Sequence, residues 1–333
     1  MTSAELLGRK LESVYRFYGP ETAGTDPILF VGRYAREEDR EVAGWIASAF
    51  AYGQVRTIQE NVGRILAALG PEPARGVDGF TKEPSRAREA LEGFRHRFHK
   101  ARDAAALLYV IGRAREEGGG TLRAFFESRR REDDRDVGPL LSRAVAWIES
   151  LDFRPVLGSR RLPERSPVRF FFPDPAAGSA CKRWNLYLRW MVRRDSLDFG
   201  LWPGIPTDRL VVPTDVHIHR IARRLGLTRR RTPDWKTARA ITDSLARFDP
   251  RDPVRFDYAL CRIGILDICR PKPSLCRCAE CPVQEACSLG KRRGVIPSAA
   301  REPFEVPAVA QKGSLGPEPV LSEVEGALGM TSA

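Results

Sequence analysis

Apolar residues along this chain recur every three to four positions and almost never every second one, which confines it to a fold built from helices. Leu7, Leu11, Val14 and Tyr18 share one face over residues 2–18, and Thr2 with Glu5 has the spacing of a capping box. Ile58, Val62, Ile65 and Leu69 repeat the pattern over 55–69. Similar stripes predict helices over 39–52, 86–92, 103–117, 121–129 and 138–150. Others follow over 179–194, 215–225, 234–247 and 253–266. The Pro- and Gly-rich stretches 70–85 and 152–177 read as loops, and the mixed run RRREDDRD at 129–136 as a solvated connection. The expected fold class is all-α, with many short helices in two lobes.

A length of 333 residues, 42% hydrophobic, suits about two domains. We divide it into an N-terminal helix and linker, 1–37, packing on the second lobe; a helical-bundle lobe, 38–150; a second lobe, 151–296; and a tail, 297–333. Residues 301–333 carry five acidic and two basic residues and are rich in Pro, Gly and Ser, so disorder is expected there. No run of about 18 apolar residues exists, which excludes a membrane span. The first residues lack an apolar signal core, so a cytoplasmic monomer is expected, at the nucleoid if it binds DNA. A net charge of +12 favours a polyanionic partner, nucleic acid before membrane.

Five of the seven cysteines fall within nineteen residues, as Cys269-x6-Cys276-x-Cys278-x2-Cys281-x5-Cys287. Such bunching outside a secreted context reads as metal or cluster ligation. Zinc ribbons bring two Cys-x2-Cys pairs from separate knuckles, whereas here one pair sits in one short loop. A cubane 4Fe-4S cluster is therefore favoured, with zinc as the alternative. Cys278, Cys281 and Cys287 are the firm ligands; the fourth is Cys269, with Cys276 as the alternative. Cys181 and Cys261 stand apart within apolar helical runs and read as free thiols.

Three segments then fall in a telling order: Gly178-x-x-x-Lys182, Thr214-Asp215-Val216-His217, and Ile263-Gly264-Ile265-Leu266-Asp267-Ile268-Cys269 leading into the cysteine loop. In this order they resemble the helix-hairpin-helix DNA glycosylase superfamily, the group of endonuclease III and the 8-oxoguanine glycosylases. That group places a Gly-x-x-x-Lys hairpin, a V-D-T-H segment and a Cys-x6-Cys-x2-Cys-x5-Cys cluster site in succession. SAFAYGQVRTIQENV resembles the same proteins' LSAQxTD turn, and the whole likeness covers roughly residues 5–290. More closely, FFFPDPAAGSACKRWNLYLRWMVRRD with GLWPGI resembles an uncharacterised bacterial family known only by a domain-of-unknown-function label.

The resemblance implies a two-lobed helix-hairpin-helix glycosylase-like fold with a C-terminal iron–sulfur loop. It implies a base-excision DNA glycosylase, with an AP lyase step left open, in which Lys182 is the nucleophile and Asp215 its acidic partner. DNA is favoured over RNA. Gln54 matches the position that fills the gap left by an everted base. Gly178 belongs to the phosphate-gripping hairpin, and Arg183, Arg189, Arg220, Arg223 and Arg224 are candidate nucleic-acid contacts. Two departures stand out. The hairpin's second glycine is Ala180, where a left-handed turn would be costly. Lys182 and Asp215 are 33 residues apart, more than the family's link, and the excess is expected to fold out as a loop. The alternative function is a non-catalytic nucleic-acid-binding iron–sulfur protein on the same scaffold. In FRHRFHKARD at 94–103 aromatics alternate with bases; Phe94 and Phe98 are expected to pack in the core.

Overall fold

A computed structural model describes residues 2–24 and 26–292. The tail assigned to 297–333 lies outside the described residues. The elements run α1 (Ser3–Phe17), α2 (Glu37–Ala49), α3 (Val55–Leu69), α4 (Pro73–Lys82), α5 (Pro84–Ala90), β1 (Arg95–His96), β2 (His99–Lys100), α6 (Ala101–Glu117), α7 (Leu122–Glu127) and α8 (Gly138–Ser150). They continue with α9 (Arg154–Leu157), α10 (Lys182–Val192), α11 (Val216–Leu225), α12 (Trp235–Leu245), α13 (Asp257–Ile265) and α14 (Ser288–Arg292). The fold is mostly helical, as the periodicity requires. The described residues fall in one compact unit. No helix among the described residues is long and apolar enough to cross a membrane.

Local signals act where they stand. Thr2 and Glu5 close a reciprocal capping box at the start of α1. Asp215 and Asp234 cap α11 and α12 through their side chains. One expected loop is a helix: α4 lies within 70–85. Pro73 stands at its first position, where a missing N–H costs nothing, and Ala74, Val77 and Phe80 form its buried face. Gly76 lets it pass close to the end of α3, since a Cβ there would stand 2.2 Å from the Leu69 carbonyl oxygen. The run 129–136 is not simply solvated either. Asp134 and Asp136 are buried, paired with Arg143 and Arg239.

The core centres on aromatic packing between α2, α7 and α10. Trp45 stacks on Tyr187 at 5.8 Å, and Phe126 stacks on Trp202 at 5.1 Å. Each such ring contributes roughly 1.5–3 kcal/mol by leaving water. Glu41 is buried among them. Its carboxylate accepts from the backbone N–H of Leu122 (2.8 Å) and Arg123 (2.9 Å) and from Trp202 Nε1 (2.8 Å), so a buried charge is fully bonded. The segment between Lys182 and Asp215 does not fold out: Leu201, Trp202, Ile205 and Leu210 to Val212 are buried. Its apolar residues are irregularly spaced, so no periodic stripe announced their burial.

Candidate active site

The site begins with a turn. Gly178 has φ +86°, and the next left-handed residue is Cys181, with φ +49°. Ala180 therefore escapes the strain that its place in the motif suggested. Cys181 is held instead by its backbone N–H to Ser179 Oγ (3.2 Å), while Ala180 O accepts from Asn185 Nδ2 (3.1 Å). α10 starts at once, which puts Lys182 at its first turn. On the far side of a loop, Asp215 opens α11. Its Oδ1 accepts from the N–H groups of His217 (2.8 Å) and Ile218 (2.9 Å), leaving Oδ2 for Lys182 Nζ at 3.2 Å.

The pair lies in a pocket of about 1060 Å³, whose wall also takes in Tyr52, Gln54, Arg97, Phe170 and Cys261. The Lys182 side chain is 33% exposed and that of Asp215 18%, so the pair is reachable from the pocket yet largely dry. Burial opposes charge on both. The attraction outweighs it in each case: Asp215 leaves Lys182 above its ordinary value, and Lys182 with the Ile218 N–H leaves Asp215 below its own. In the free protein the two are an ammonium and a carboxylate.

Behind Lys182 lies a buried charge network. Arg189 donates to Asp198 (3.2 Å) and Asp257 (2.6 Å). Arg193 pairs with Asp198, Asp195 (3.0 Å) and Asp252 (2.8 Å). Burial lifts the carboxyls of Asp198 and Asp257 to about 6 despite these arginines. This corrects the expectation for Arg189. At 2% exposure, it is turned to the buried carboxylates of Asp198 and Asp257 rather than to solvent.

The other expected contacts divide. Gln54 is exposed on the pocket wall at the start of α3, and its side chain makes no cap bond. Arg183 is buried, donates to the Phe170 carbonyl, and lies 3.7 Å above the Phe170 ring; burial brings it down to about 10. Arg220 donates to Cys269 O (2.7 Å), and Arg224 to Cys269 Sγ (2.8 Å) and Cys276 Sγ (3.2 Å). These three arginines are committed to the protein itself, whereas Arg223 is exposed. Asp257 and Cys261, four residues apart on α13, line the pocket beside the pair and were not anticipated as site residues. Their i, i+4 spacing was the available signal.

In the cysteine loop, Arg277 N–H bonds Ile268 O at 3.0 Å and folds the segment back on Cys269. Burial pushes the Cys281 thiol up to about 12, aided by the neighbouring Cys287, Cys269 and Cys278. Cys276 shares the Arg224 guanidinium with Cys269 and also reaches the Arg270 carbonyl (3.3 Å). Among the described residues, no three His, Cys, Asp or Glu side chains stand as a cage for one metal ion.

Residues 26–266 match the model of a family described as protein of unknown function (DUF2400). A stretch of 106 residues is 34% identical to Endonuclease III of Thermotoga maritima, taking in 31% of this chain and 44% of that protein. The chain thus spans less than half the length of this curated relative. No solved structure matches the chain.

Proposed function

The chain belongs to the DUF2400 family of unknown function, and from its pocket we propose that it acts on nucleic acid as a base-excision glycosylase with a lyase step, DNA before RNA. The observation that carries the reading is the Lys182 amine 3.2 Å from the Asp215 carboxylate in a pocket large enough for an everted nucleoside. The partial likeness to a protein named an endonuclease supports a nucleic-acid substrate.

The chemistry follows from the pair. An occupant displaces water and strips Lys182 of its remaining solvent, which favours the neutral amine. That amine attacks C1′ of the everted nucleotide. The N–C bond forms as the glycosidic bond breaks, and the base leaves with the bonding electrons and takes the proton that the ammonium gave to Asp215. The C1′–O4′ bond of the resulting aminal then opens, a second lysine proton passing through Asp215 to O4′, to leave the imine that borohydride reduces. Asp215 stabilises positive charge at C1′ and receives the lysine proton. Its cap bonds fix its orientation, so little reorganisation is needed. In this reading the 38–150 lobe contributes Tyr52, Gln54 and Arg97 to the cleft, and the 151–296 lobe contributes the reacting pair.

We assign Cys269, Cys278, Cys281 and Cys287 as ligands of a 4Fe-4S cluster. Their fit rests on the thiols of Cys269, Cys278 and Cys287 that neighbour Cys281, and Cys276, which shares Arg224 with Cys269, is the alternative fourth ligand. A cubane, in which each thiolate binds its own iron, spaces its ligands more widely than a single zinc ion does. These four residues would hold the cluster and, with it, the loop of little regular structure that follows α13. Broad visible absorption in anaerobically purified protein is the expected signature, and zinc in its place would give none.

The test of the main reading is borohydride trapping on duplexes and single strands carrying abasic sites or damaged bases. A covalent adduct that Lys182→Gln abolishes is expected. A second reading, non-catalytic binding on the same scaffold, is favoured by the ion pair that keeps Lys182 protonated. It predicts no base release from any substrate, and binding indifferent to Lys182→Ala and Asp215→Ala.

A further inference from the structure

We infer that an aromatic shelf at the pocket mouth stacks bases that are already unpaired, so the chain engages a single strand in preference to an intact duplex. The inference rests on the nucleic-acid reading above and names its substrate class. The shelf begins with a hairpin that the helical periodicity hid. β1 and β2 pair His96 with His99, leaving Arg97 and Phe98 as a two-residue turn. A turn this tight needs a left-handed residue, and Arg97 supplies it at φ +54° without being glycine.

The strain is held by two buried histidines. His96 Nε2 bonds Tyr52 O at 2.9 Å, and its Nδ1 meets Asn61 Nδ2 at 3.1 Å. His99 Nε2 bonds Pro167 O at 2.9 Å, and its Nδ1 meets the Tyr52 hydroxyl. With four ring nitrogens occupied, the tip is rigid.

What this anchored tip displays is unusual for its residue types. Phe98 is 48% exposed and Phe170 40%; the two rings meet edge to face at 5.1 Å. Tyr52 meets Phe170 in turn at 4.9 Å. Tyr52 and Phe170 line the pocket, so the shelf is continuous with the catalytic pair's cavity. The expectation that Phe98 packs in the core fails because the turn points it outward; Phe94 alone is buried.

The surrounding charge selects the occupant. Arg95, Arg97 and Lys100 are exposed on the same hairpin, and none forms an ion pair among the described residues. Rigid π-faces among unneutralised cations suit bases joined by phosphates. In an intact duplex each base face is covered by its neighbours, so only unpaired bases can use the shelf.

The experiment measures fluorescence anisotropy of labelled twenty-nucleotide oligonucleotides, single-stranded and duplex, against the full chain at 50 and 200 mM salt. Tighter binding of the single strand is expected. Phe98→Ala should weaken that binding roughly 5- to 150-fold and leave duplex binding unchanged. Phe98→Leu keeps the apolar bulk without a π-face and should not rescue it. Equal affinity for both forms, indifference to Phe98→Ala and Phe170→Ala, or rescue by leucine would each overturn the inference. Duplex preference with borohydride trapping intact would remove the shelf alone. Binding to neither form would remove the nucleic-acid reading itself, and with it a shelf that must then serve a protein partner.

Discussion

Replacing Asp215 by Asn separates its two jobs, because an asparagine still caps a helix but no longer carries charge. At 3.2 Å the pair's attraction is about 5 kcal/mol at an effective permittivity near 20. Desolvation and access from the pocket offset much of this, and opposite-charge neighbours typically move a pKa by about 1–3 units. Asp215→Asn should therefore lower the Lys182 pKa by about 1–3 units. Burial then acts without its chief counterweight, with Asp257 and Cys261 as the remaining opposition, so the new value should lie below that of the wild type. NMR titration of protein labelled at the lysine ε-carbon, with Lys182→Arg for assignment, reads this directly. An unmoved or raised Lys182 pKa would refute the electrostatic account of the pair.

The stability consequences carry definite signs. Lys182 is raised on folding, so its contribution is complete below the unfolded lysine pKa and is lost as pH rises through the folded value. Asp215 is depressed, so its contribution is present above the unfolded carboxylate pKa and is lost as pH falls through the folded value. The melting-temperature gap between wild type and Asp215→Asn should be flat between those limits and close at both ends. Asp215→Ala should cost about 1 kcal/mol more than Asp215→Asn, the usual worth of a cap.

Arg189→Leu should destabilise by about 3–5 kcal/mol in urea unfolding, because it strands Asp257 in the core and leaves Asp198 to Arg193 alone. A change under 1 kcal/mol would show that the network is solvated. If the cluster assignment holds, Cys269→Ser should abolish the visible absorption of anaerobically purified protein, while Cys276→Ser leaves it in place. The reverse outcome would make Cys276 the fourth ligand.

Much of the architecture was legible because helices leave a periodic trace. Ile58, Val62, Ile65 and Leu69 could be assigned to a buried face from spacing alone, and all four are buried. The order of Lys182, Asp215 and the cysteines was equally open to reading, and the polymer brings the first two together across 33 residues. What could not be read was direction. An arginine has the same letter whether it reaches for phosphate or for a buried carboxylate. Arg189 became structural because Asp198 and Asp257, nine and sixty-eight residues away, arrive on its side of α10.

The hairpin was hidden for a related reason. Two-residue strands are too short to declare a period, and Arg97 lacks the glycine that would flag the turn. Its determinants are the bonds of His96 and His99 to Tyr52, Asn61 and Pro167, all distant in sequence. Strain at Arg97 and exposure of Phe98 are local costs that those distant bonds sustain. Costs of this kind concentrate where a surface is kept for something outside the protein. The same reasoning separates Phe98 from Phe94, four residues earlier: identical side chains, one spent on the core and one held out beside the pocket.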